Sequence, residues 1–332
     1  MNTTWFKQLK QLKSPTGEEK AMASWLKKIL KPMADDVFED ALGNVYAVKN
    51  PRGATSKVKE TIMLSAHMDE PSFTVIDIDD GGFLRIEGIG VWHAVNLIGA
   101  RLLFARTQTI GVVGVEPHVE LADVAFRHLF VDIAAKNRQD AEQRIAVGDL
   151  ATVHGAVETM TPDVFVGPVL SNRISCAVLL EVLQKANNQS KIVAAFTVQK
   201  QVGSRGARVA SYRVDPDLAV VIDVTKAGDT PHAERPSLAL GQGPAIKMLD
   251  ASMVVAPVVR ERLIDCANKA GVTYQREVSP ATTSDANALF VGRGGIPTGG
   301  VSIVTRQASY YSNMVHVSDL ANAVTLLITL VE

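Results

Sequence analysis

Four segments set side chains capable of chemistry just beyond apolar, strand-forming runs. The run 60–66 leads into Ala66-His67-Met68-Asp69-Glu70, and 192–198 leads into Gln199-Lys200-Gln201. The run 218–224 holds Asp223, and 300–304 leads into Thr305-Arg306-Gln307-Ala308-Ser309. In extended chain, His67 and Asp69 point to one face. That suits a metal-ligand histidine whose second ring nitrogen is held by a carboxylate. An ordinary hydrogen-bonded pair is the commoner occurrence of His-x-Asp at a strand end. Asp223 inside an apolar strand needs a partner, because an unpaired buried carboxylate is costly. A metal, Lys200 or a helix N-terminus would each serve. Lys200 and Gln201, taken alone, read as a solvated turn.

Other chemistries find no support. Val202-Gly203-Ser204-Arg205-Gly206 lacks the first glycine of a nucleophile elbow. No phosphate loop or dinucleotide fingerprint occurs. His93, His118, His128, His154 and His232 have no ligand spacing, and Cys176 falls on an apolar helix face. Two cysteines cannot build a disulfide framework and fit a reducing compartment. With 34 basic and 35 acidic residues in 332, no concentrated basic face for nucleic acid is expected. No apolar run reaches the ~18 residues of a membrane span, and the lysine-rich start lacks a signal-peptide core. The expectation is a soluble cytoplasmic protein with no nucleic-acid or membrane partner.

The elements that must position these residues follow from periodicity. Trp5, Phe6, Leu9 and Leu12 recur at helical spacing, as do Met22, Trp25, Leu26 and Leu30 within 18–30. Strands are expected at 37–40, 45–48 and 60–66, the last apolar enough to be buried on both faces. From 70 to 165, short β-rich runs at 73–78, 83–86, 101–105 and 110–115 alternate with Gly and Asp turns, suggesting an inserted β module. From 170 the rhythm becomes α/β: helices at 172–185, 206–211, 257–270, from 285, and 318–331, with strands at 192–198, 218–224, 274–278 and 300–304. The fold class expected is α/β, a mostly parallel sheet covered by helices on both faces. The discontinuous domain would span 1–69 and 166–332, with a β-rich dimerisation domain at 70–165. Ligands of such sheets bind beyond the carboxyl ends of the strands, where the four segments above lie.

Taken together, the blocks SPTGEE (14–19), AHMDEPSF (66–73), SNRISCAVLLEVL (171–183), FTVQKQVGSRGA (196–207), DVTKAGDTP (223–231), TSDAN (283–287) and the stretch 295–320 resemble the tetrahedral, self-compartmentalising glutamyl aminopeptidase family. The resemblance implies a fold of the zinc-peptidase kind and a site of two divalent metals, zinc or cobalt. It implies a glutamate as general base, and dimers assembled into a tetrahedral dodecamer that admits only small peptides or small molecules.

The same resemblance marks departures. His67 and Asp223 keep metal-ligand positions and Asp69 keeps the orienting position. Ser171 stands where a bridging aspartate is expected, and Lys200 and Gln201 stand where a base-then-ligand pair of glutamates is expected. The last ligand histidine falls on Ser309 counted from Arg306, or on Ser312 counted from Val317. His316 replaces a usual glutamate. Arg306 is retained as a substrate-binding candidate, and Asp285 is consistent with a polar ligand. An alcohol and an amide offer oxygen without charge, and a like charge ~4 Å from a cation costs about 4 kcal/mol per unit at an effective dielectric near 20. The expected cofactor is therefore none, or one weakly bound divalent metal. A simpler arrangement has the Lys200 ammonium pairing with Asp223 or Asp69 in place of the metals. The alternative is an active hydrolase with a mononuclear or altered site that releases N-terminal residues from small peptides.

Overall fold

The computed structural model describes residues 5, 8–9, 11–52, 60–168, 170–233, 238–307 and 311–332, and only the backbone of Ser171 and Asn172. Helix α1 (Lys20–Leu30) buries Met22, Ala23, Leu26 and Leu30, a stripe at three-to-four spacing, and carries Lys27 and Lys28 in its last turn. Of the spacing that precedes it, Leu9 is buried and Phe6 lies outside the described residues.

Strands β1 (Asp36–Glu39), β2 (Val45–Lys49) and β3 (Thr61–His67) follow. Next come β4 (Ser72–Ile78), β5 (Leu84–Ile89), β6 (Arg101–Phe104), β7 (Thr109–Val115) and β8 (Leu129–Asp132). Helix α2 (Arg138–Glu142) then precedes β9 (Leu150–Val153). Strands β4 to β9 close into a barrel, ordered β4-β5-β8-β7-β6-β9, around its own core of Phe73, Leu84, Leu102, Phe104 and Val131. Strands β10 (Glu158–Thr161) and β11 (Val164–Gly167) leave the barrel and extend the large sheet.

The rest alternates: α3 (Leu170–Lys185), β12 (Lys191–Thr197), α4 (Arg205–Val214), β13 (Leu218–Lys226), β14 (Ala245–Asp250), α5 (Pro257–Ala270), β15 (Gln275–Ser279), α6 (Ala286–Phe290), β16 (Thr298–Arg306), β17 (Asn313–His316) and α7 (Val317–Val331). The large sheet runs β1-β2-β12-β3-β13-β16-β17-β11-β10, with β14 on β16 and β15 on β14. Its centre, β12-β3-β13-β16, is parallel, the strands flanking that centre join it antiparallel, and β15 pairs parallel with β14, so the whole sheet is mixed. Six consecutive residues of β3, from Ile62, are buried, as coverage of both faces requires. Helix α7 packs on both α3 and α5, and α4 packs on α6.

The sequence reading did not mark β8, β9, β10, β14 and β17. Four of these are four-residue strands, too short for a period of two to stand out.

Candidate functional site

Adjacent parallel strands create the site. Ser65 of β3 pairs with Val221 of β13, so two residues further on His67 and Asp223 come side by side where β3 ends. His67 Nε2 lies 3.7 Å from Asp223 Oδ1. On the other flank of β3, Thr197 of β12 pairs with His67, and the chain then turns to bring Lys200 over the strand ends. Lys200 Nζ lies 3.9 Å from Asp223 Oδ2. Both separations exceed hydrogen-bond length, so charge rather than a direct bond holds these groups together. A backbone bond from Val224 N–H to Asp223 Oδ1 (2.8 Å) fixes the carboxylate.

His67 Nδ1 lies 2.9 Å from the backbone oxygen of Asp69. A carbonyl only accepts, so Nδ1 carries hydrogen and, in the neutral ring, Nε2 faces Asp223 with its lone pair free. Nε2 is buried without a hydrogen-bond partner among the described residues. Burial opposes the charged ring, but Asp223 and Asp69 outweigh it and push the imidazole up to about 9. Asp223 is opposed by burial yet held well below the usual carboxylate range by Lys200 and His67. Lys200 is raised, chiefly by the charge of Asp223. Asp285 also reaches this cluster. Burial raises its carboxyl, Thr197 Oγ1 donates to its Oδ2 at 2.7 Å, and its Oδ1 has no partner among the described residues.

Asp69 does more than orient the histidine. Its carboxylate stands 3.4 Å from Nδ1 while accepting the backbone N–H of Lys200 (3.0 Å) and of Gln201 (3.2 Å) and the hydroxyl of Thr16 (2.9 Å). Behind it, Arg173 bonds Glu70 and Ser14, tying α3 to the loop after β3. Thr16, Arg173 and Asn44, which joins Val198 N–H and Gly206 O, carried no separate signal in the sequence because their partners lie far along the chain.

The remaining candidates are placed as follows. Gln201 turns its amide toward the barrel, where a Cβ on Gly90 would meet Oε1 at 2.8 Å. Ser171 begins α3, its side chain outside the described residues, as is all of Ser309. Ser312 is half-buried. Arg306 spends its fork on Asp229, with Nε–Oδ1 2.8 Å and Nη2–Oδ2 2.6 Å. His316 accepts the Ser318 N–H and caps α7. Cys176 is buried beneath His67, its thiol pushed up to about 12 by burial, which makes it unreactive. His93, His118 and His232 are exposed, and His128 and His154 half-buried.

Among the described residues no group of three or more His, Cys, Asp or Glu could hold a metal ion. Where the resemblance expects two glutamates, the chain carries an ammonium and an amide that turns toward the barrel at Gly90. What the arrangement supplies is a buried cluster in which Asp223 faces both the His67 ring and the Lys200 ammonium.

A family model described as M42 glutamyl aminopeptidase matches residues 43–326. A relative in Acetivibrio thermocellus that carries a provisional aminopeptidase name is 34% identical over 315 residues, covering 94% of this chain and 93% of the relative. Among solved structures, the aminopeptidase APDkam598 of Desulfurococcus kamchatkensis superposes with a TM-score of 0.92 at 29% identity, covering 98% of this chain and 93% of that one. PhTET1-12s, described as a dodecamer, shares the fold with a TM-score of 0.88 at 24% identity, covering 100% of this chain and 99% of that one.

Proposed function

This chain belongs to the M42 glutamyl aminopeptidase family, and from that premise we propose that it keeps the family's scaffold while lacking two-metal peptide hydrolysis. One observation carries the reading: the Lys200 ammonium stands 3.9 Å from Asp223, on the carboxylate that the family resemblance assigns to metal. An ammonium there balances the charge of Asp223 without an ion, and a dication added beside it would meet like charge at close range. Nor can a protonated lysine, raised by Asp223, take a proton from water as a glutamate base would. The protein then acts as a small-peptide or small-molecule binding member, or as a subunit beside an active paralogue. The same premise supports self-association, from dimer to tetrahedral dodecamer, with the β-rich segment 70–165 as a dimerisation domain, and a cytoplasmic location.

A second reading rests on His67. Its Nε2, buried with no hydrogen-bond partner among the described residues, and the Asp223 carboxylate are the pair of donors a single divalent ion would use once the ring is neutral. On that reading the protein is an aminopeptidase with a mononuclear site.

Restoring the family's groups tests the first reading. The combined variant Ser171→Asp, Lys200→Glu, Gln201→Glu and Ser309→His (or Ser312→His) is expected to gain stoichiometric zinc or cobalt, read by elemental analysis, where the parent holds none. Equal metal in parent and variant would overturn it, and one tightly held ion in the parent would favour the mononuclear reading.

A further inference from the structure

The 14–19 motif reaches the site not only through Thr16 but also through Glu19. Glu19 is 6% exposed, and its Oε1 accepts the N–H of Gly17 at 2.9 Å and of Gln199 at 3.1 Å. Gln199 directly precedes Lys200 and holds a left-handed backbone (φ 53°), and Ser204 (φ 54°) closes the same turn. Neither is glycine, and such residues persist only where their surroundings over-determine them. The surroundings here are specific. Four consecutive N–H groups, of Val198, Gln199, Lys200 and Gln201, are each accepted by a side-chain oxygen, from Asn44, Glu19, Asp69 and Asp69. Asn44 also binds Gly206, and Asp69 also faces His67. Glu19 meets the turn at Gln199 alone, the residue whose backbone conformation sets the direction in which Lys200 leaves the chain.

We propose that Glu19 is a positioning residue for Lys200: by accepting the Gln199 N–H it fixes the left-handed turn that holds the Lys200 ammonium against Asp223. Helix α1, anchored in the core by Met22, Leu26 and Leu30, begins at the next residue, so the turn is referenced to a rigid element. This inference goes beyond the proposed function and stands whether or not the protein cleaves peptides.

Amine acylation tests it on the intact chain. Brief treatment with acetic anhydride, read lysine by lysine through peptide mass spectrometry, reports the freedom of each ammonium. Lys247, paired with Glu277 at 2.8 Å and remote in sequence, serves as the internal control for global loosening. Glu19→Ala is expected to raise acetylation at Lys200 about tenfold with Lys247 unchanged. Glu19→Gln, whose amide oxygen still accepts, is expected to return Lys200 to the parental rate. Should the alanine variant not fold, Glu19→Asp, which withdraws the carboxylate by one methylene, replaces it with the same expectation of faster acetylation at Lys200. Lys200 labelling within twofold of the parent, Lys200 and Lys247 rising together, or no recovery in Glu19→Gln would each overturn the proposal.

Discussion

At the scale of single residues, the centre of the molecule is a carboxylate shared by two cations. Asp223 is buried in β13 and faces His67 and Lys200 at 3.7 and 3.9 Å. Removing one partner of a buried pair leaves the other uncompensated, which costs more than the pair contributes. Lys200 keeps 22% of its side chain exposed, so the expected loss is discounted for solvent. Lys200→Met is predicted to destabilise the fold by about 2 kcal/mol in chemical denaturation. Adding Asp223→Asn to that variant is predicted to recover part of the loss, because the uncompensated charge is then gone. If the two losses simply add, the residues do not interact and the pairing is wrong.

His67, Asp69 and Asp223 stood out in the sequence because each follows or interrupts an apolar, strand-forming run, whereas Lys200, which alone reads as a solvated turn, stood out only through the family resemblance. The roles were less legible. The spacing of His67 and Asp69 puts a carboxylate on the ring. In the folded chain the ring bonds the backbone oxygen of Asp69 as well, and the carboxylate, 3.4 Å from the ring, also serves the amides of Lys200 and Gln201. Glu19 and Asn44 gave no warning, since a hydrogen bond across 154 or 180 residues has no periodicity to read. Arg306, the substrate-binding candidate at the end of β16, is paired with Asp229, a partner no spacing rule would select.

At the scale of elements, close approach and buried polar bonds fix the geometry. The start of α4 packs against the end of β12 at Gly206. A Cβ there would lie 2.3 Å from Asn44 Oδ1 and 2.5 Å from the Val198 carbonyl. Gly206→Ala is therefore predicted to cost about 3 kcal/mol, whereas Gly294→Ala, with nothing within 4 Å, should stay within about 0.5 kcal/mol. Equal effects in urea titrations would remove the claim that Gly206 is a contact point. Away from the site, Lys247 of β14 pairs with Glu277 of β15, which also accepts the hydroxyl of Ser302 on β16. Lys247→Met is predicted to cost about 3–5 kcal/mol, and the double change Lys247→Met with Glu277→Leu to cost less. A double variant no more stable than the single one would show that the lost packing, and not the stranded carboxylate, sets the cost.

At the scale of the whole molecule, a parallel centre with antiparallel flanks carries a closed barrel between β3 and the later strands. The α/β rhythm after 170 made the large sheet readable. The addition of β10 to it was not, because β10 is exposed throughout and has no buried face to pattern. If internal charge balance replaces metal in the fold, a chelator has nothing to remove. EDTA is predicted to shift the melting temperature by less than about 1 °C, since only a bound ligand contributes linkage stability. A drop of many degrees would mean that an ion is part of the native state. Self-association is predicted to show in light scattering as a particle of many chains, and a monomer would end that proposal.

The most direct measurement is elemental analysis of protein purified without chelators, made together with an assay of aminoacyl chromogenic substrates. The account predicts no stoichiometric zinc or cobalt and no release of chromophore above background. Two tightly held metal ions per chain with rapid turnover would contradict it.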